Sequence, residues 1–99
     1  MFVTNGFPFE EAAVMKFQGA VLKEREVTFA IVIVKNHVVE NSFEADTTSR
    51  GFQKVFPGIP IVLMAQDFGK ASFYGRKDIV DFLTNVPVNA IPWKEYSIT

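Results

Sequence analysis

The residue types that carry chemistry are sparse in this chain. There is no cysteine and only one histidine, His37. Thiol–disulfide exchange is therefore outside its reach, and so is a metal centre of the usual multi-histidine or Cys/His type. His37 itself reads as a solvent-facing loop residue. Asp78 and Asp81 lie three apart on an expected helix and could be taken for paired acids. A hydrolytic pair must converge in a cleft, however, and the pattern here is that of a solvated face, with Lys77 four residues before Asp81 as an ordinary ion pair. Glycine-rich phosphate loops and catalytic triads are absent from the sequence. No residue is assigned a catalytic role, no metal site is expected and no cofactor is implied.

The composition bounds what remains. Ninety-nine residues with 48% hydrophobic content suit one domain with a real core. The 11 phenylalanines read as bulky core filling in a small domain, the alternative being an exposed aromatic patch for a partner. Ten basic and eleven acidic residues give a net charge of −1, with no long run of either sign. That is not the electrostatic footprint of a nucleic-acid binder. The longest apolar stretch, Val27 to Val34, is too short to span a bilayer, and the N-terminus lacks the basic start and cleavage site of a secretory signal. The expectation is a soluble, cytoplasmic protein without a membrane or nucleic-acid partner.

Elements to position these residues can be read along the chain. Phe2-Val3-Thr4 suggests a short strand stopped by Asn5-Gly6. Pro8 can open a helix, with Glu10 and Glu11 in its first turn and Ala13, Val14, Phe17, Ala20 and Val21 as an apolar stripe at helical spacing. Val27 to Lys35 is a strand buried on both faces. Asn36 to Asp46 is polar and irregular. Thr47, Thr48 and Ser49 are candidate caps for a helix carrying Phe52, Val55 and Phe56. Ile59 to Ala65 is a second buried strand, Asp67 to Lys70 a turn, and Ala71 to Tyr74 a returning strand. A last helix runs from Arg76 to about Asn85, burying Ile79, Val80, Phe82, Leu83 and Val86.

That order, β-α-β-α-β-β-α, resembles the glutaredoxins of the thioredoxin-like class, and local segments agree with it. Val3-Thr4-Asn5-Gly6-Phe7-Pro8-Phe9-Glu10-Glu11-Ala12 is similar to the family's opening strand and Cys-Pro-Tyr-Cys loop. Phe7 and Glu10 stand where the family has its two cysteines. Gly58-Ile59-Pro60-Ile61-Val62-Leu63 is similar to the segment holding the family's cis-proline. Tyr74-Gly75-Arg76-Lys77-Asp78-Ile79 is similar to the stretch that starts its last helix. The resemblance covers residues 1–86. It implies an α/β fold with a four-stranded mixed sheet flanked by helices, followed by an extension over residues 87–99 packed on the body.

What the resemblance implies about function starts from its broken positions. With Phe7 in place of the nucleophile, the loop Phe7-Pro8-Phe9 becomes a protein-contact surface, and Trp93 and Tyr96 of the extension are further contact candidates. The expected function is a non-redox binding protein with a protein partner. Ile59, Pro60, Gly75, Arg76, Lys77 and Asp78 are what remains of a glutathione site, weakened because Phe7 fills the place of the ligand's sulfur and Glu10 and Glu11 repel an anion. The alternative is a transferase-like enzyme that uses glutathione's own thiol, with Thr4 or Tyr74 as activating hydroxyl.

Overall fold

Two strands have apolar side chains on both faces, and that fact sets the layers. In the computed structural model, which describes residues 15–98, these are β2 (Val27–Ile33) and β3 (Ile61–Asp67). They pair in parallel, Ala30 opposite Ile61 and Ile33 opposite Met64. A parallel pair needs a crossover, supplied here by α1 (Asn36–Glu40) and α2 (Ser42–Gln53). Outside them lie β1 (Met15–Glu24), β4 (Lys70–Tyr74) and β5 (Lys94–Ile98), and α3 (Lys77–Leu83) follows β4. The sheet has five strands in the order β4-β3-β2-β1-β5, every pairing except β2–β3 being antiparallel. No helix among the described residues is long and apolar enough to cross a membrane.

Each face has its own core. On one, Ala30, Val32, Ile61 and Leu63 meet Ala45 and Phe56, with Phe17, Val38, Phe52 and Tyr96 packed around them. On the other, Phe29, Ile31, Val62 and Met64 meet Ile79, Leu83 and Ile91, with Leu22, Phe82 and Trp93 alongside. The mixed α/β class and the two buried central strands follow the sequence pattern. The expected sheet of four strands does not: among the described residues β1 and β5 are strands where a helix and an extension are expected, and the expected strand Phe2–Thr4 lies outside the described residues.

A second departure is larger. The helix expected from Pro8 to Glu24 is, over its described part, the strand β1. The reason lies in which face is covered. Phe17 points into the α2-side core, whereas Ala20 and Leu22 point into the α3-side core. Strand alternation is kept throughout, but the covered side changes at Gly19, so the buried residues fall at 17, 20 and 22. That spacing imitates a helical stripe. The third departure is Asn36 to Asp46, which is helical rather than irregular. The cap of α2 is Asn41, whose side chain accepts from the Glu44 N–H at 3.0 Å. Thr47 lies inside α2 and donates its hydroxyl to the Phe43 carbonyl at 3.0 Å.

Both hairpins use two-residue turns in the left-handed region. At the β3–β4 turn Phe68 has φ 52° and Gly69 φ 80°. At the β1–β2 turn the pair is Arg25 and Glu26, at φ 51° and 71°, with Glu24 opposite Val27. Such a type I′ turn favours Asn-Gly, and each ordinary L-residue there costs about 1–2 kcal/mol. Replacing Arg25-Glu26 by Asn-Gly should therefore raise stability by about 1–2 kcal/mol, read as a higher urea midpoint at unchanged slope. A lower midpoint would show that the turn is not of this type.

Candidate functional site

The strained β1–β2 turn and α3 face each other across a cleft of about 440 Å³. Its floor is apolar: Val27 and Phe29 from β2, Ile79 and Phe82 from α3. The Phe29 and Phe82 rings meet edge to face, centroids 6.5 Å apart. Its rim is charged, with Glu24 and Arg25 on the hairpin side and Asp78 and Asp81 on the helix side. An apolar floor with a few polar groups at the mouth, at this volume, is the usual build of a small-molecule site.

Why α3 sits there begins at Gly75. A Cβ on this residue would lie 2.9 Å from Val62 Cγ2 and 3.2 Å from the Ile61 carbonyl oxygen. Only glycine lets the chain leave β4 this close to β3. The helix then starts with Arg76 and Asp78 locked together, Arg76 Nε donating to Oδ1 at 2.8 Å and Nη2 to Oδ2 at 2.7 Å. This two-bond fork is the strong form of an ion pair. The hydrogen bonds from Arg76 hold the Asp78 carboxyl well below its usual range, at about 2, and the same contact raises the guanidinium. Lys77 Nζ donates to Asp81 Oδ2 at 3.0 Å one turn along the helix. Across the cleft Arg25 Nε stands 3.6 Å from Glu24 Oε2, a loose contact at the surface.

Of the residues singled out from the sequence, Thr4, Phe7, Pro8 and Phe9 lie outside the described residues. Trp93 is half-buried in the α3-side core and donates its indole N–H to the Val88 carbonyl at 2.9 Å. Tyr96 is half-buried in the α2-side core, stacked on Phe17 with centroids 5.2 Å apart and planes at 10°. The residues beside Gly75 are Ile61 and Val62, which follow Ile59 and Pro60 in the chain. Their carbonyls are already taken, Ile59's by Gln53 Nε2 at 2.6 Å and Pro60's by the Ala30 N–H at 2.9 Å. No peptide bond among the described residues is cis, that of Pro60 included. Arg76 and Lys77 each face an acid on α3. Tyr74 packs in the α2-side core, its hydroxyl 3.5 Å from the Ser42 carbonyl oxygen.

The chemistry-bearing side chains stay apart. His37 lies at the surface of α1, Nδ1 3.3 Å from Glu44 Oε1, and no group of three or more His, Asp or Glu among the described residues is placed to hold a metal. The cleft residues Glu24, Arg25, Val27, Phe29 and Phe82 were not legible as a set. They meet only because residues 15–24 form a strand and turn back through Arg25-Glu26, a turn without the usual Asn or Gly. No protein-family model matches the chain, and neither a curated protein nor a solved structure matches it.

The Arg76–Asp78 fork has a pH signature. Because the folded-state value of Asp78 lies below its ordinary 3.8, any stability it adds is present above that value and lost as pH falls through about 2. Carboxyl NMR should give Asp78 a midpoint of about 2 in the parent and its ordinary 3.8 in Arg76→Ala. A parent midpoint already at the ordinary value would break the assigned pairing.

Proposed function

We propose that this protein is a small-molecule-binding domain that performs no thiol chemistry, with the cleft between the β1–β2 turn and α3 as its site. The observation that carries this reading is the combination of an open cleft of this volume, an apolar lining that includes Phe82, and carboxylates on opposite walls. A binding role is favoured over a catalytic one because neither His37, at the surface of α1, nor Tyr74, in the α2-side core, lines the cleft. A thioredoxin-like layout is supported by the β3–β4 hairpin followed by α3. The strand at Met15–Glu24, where that layout has its first helix, counts against it. The cleft reading does not depend on it.

Titration of isotope-labelled protein with 2-naphthalenemethanol, an uncharged ligand that suits the floor, tests the proposal. The expected result is saturable shifts at the amides of Val27, Phe29, Ile79 and Phe82, with a Kd on the order of 1 mM or tighter for a ligand of this size. Val27→Trp, which fills the floor, should abolish those shifts while the spectrum stays dispersed. Shifts gathered instead on the shallow surface of α2 around Asp46, Arg50 and Lys54 would overturn the assignment.

A further inference from the structure

The rim charges specify which ligand the cleft takes, an inference that rests on the cleft being the binding site. Among the described residues three carboxylates line it, Glu24, Asp78 and Asp81, against one lining cation, Arg25. Two more cations, Arg76 and Lys77, pair with Asp78 and Asp81 from the same helix. These pairs differ in how readily they open. Asp78 is held by both arms of the Arg76 fork and has little to offer a ligand. Asp81 is held by one bond from Lys77, whose side chain is 88% exposed. Glu24 has Arg25 at 3.6 Å as its one charged contact among the described residues, with the Arg25 side chain 91% exposed.

Exposed single-contact pairs of that kind contribute little to stability, so an incoming cation can replace Lys77 or Arg25 at small cost. Glu24 and Asp81 stand on opposite walls of the cleft, one carried by the hairpin and the other by the helix. The half-buried Phe82 ring lines the same cleft, and an aromatic face there also favours a cation. An anion entering the same space would meet two carboxylates and no free positive group on the helix wall.

We infer that the cleft takes a small organic ammonium: a compact aromatic or apolar body on the floor, with its charged nitrogen between Glu24 and Asp81. A volume of about 440 Å³ fits a ligand of that kind in full.

Three ligands that share one ring separate charge from shape: 2-naphthylmethylamine, 2-naphthalenemethanol and 2-naphthoate. At low salt the amine should bind about fivefold tighter than the alcohol, and the carboxylate more weakly than either. Raising the salt should shrink the amine's advantage. In Glu24→Gln and in Asp81→Asn, the ratio of amine to alcohol affinity measured in the same variant should fall toward one. Equal binding of all three ligands, or an amine advantage that survives both substitutions, overturns the charge inference and leaves the cleft in place. Failure of alcohol and amine alike to shift any cleft amide overturns the cleft itself.

Discussion

Gly19 stands where β1 is shared between two partners, opposite Val32 of β2 on one side and Lys94 of β5 on the other. Before it, β1 pairs with β5; after it, β1 pairs with β2. A Cβ here would lie 2.7 Å from the Ile31 carbonyl oxygen, closer than a side chain can come to backbone. The Phe17 and Tyr96 rings close over the same spot, their nearest atoms 3.4 and 3.6 Å from where that Cβ would stand. The absent side chain thus lets β2 approach, and the two stacked aromatics cover the backbone it leaves bare. Aromatic pairs of this type add about 0.5–1.5 kcal/mol beyond the area they bury.

The rest of the molecule follows from that crossing. Along β1, Phe17 in the first half packs into the α2-side core, and Ala20 and Leu22 in the second half pack into the α3-side core. β5 can then close the sheet beyond β1 and bring Tyr96 onto one face while Trp93 packs on the other. The end of β1 projects past the cover of α3 and turns back at Arg25-Glu26. The space left between that turn and the helix is the cleft. Its apolar floor is the exposed margin of a core, and its charged rim is made of residues that flank a turn and a helix start. The proposed site is therefore a consequence of how far each element extends, and no residue in it is buried at the expense of an unpaired charge.

That origin explains how much was legible in the sequence. Val27 to Val34 and Ile59 to Ala65 are near-continuous β-forming runs, and such runs have few other uses, so β2 and β3 stood out. Ile79, Val80, Phe82 and Leu83 mark α3 by their helical spacing. β1 was hidden because its buried side changes at Gly19, which spaces Phe17, Ala20 and Leu22 like a helix. The hairpin was hidden because Arg25 and Glu26 hold positive φ without the residues that normally advertise it. Asn41, Thr47, Thr48 and Ser49 are all residue types that cap helices, and only tertiary packing chooses Asn41 among them. Asp78 is marked by its place in the first turn of the last helix, but its pairing with Arg76 depends on geometry at that turn.

The strand character of residues 15–24 is the claim on which both the sheet and the cleft depend. Nuclear Overhauser contacts across β1 test it most directly. The expected result is cross-strand contacts from Leu22 to Phe29 and from Phe17 to Tyr96, with strong sequential Hα–HN contacts along β1. Medium-range i to i+3 contacts running through Lys16–Lys23 would show a helix there instead, and would remove the hairpin, the cleft and the proposed ligand together.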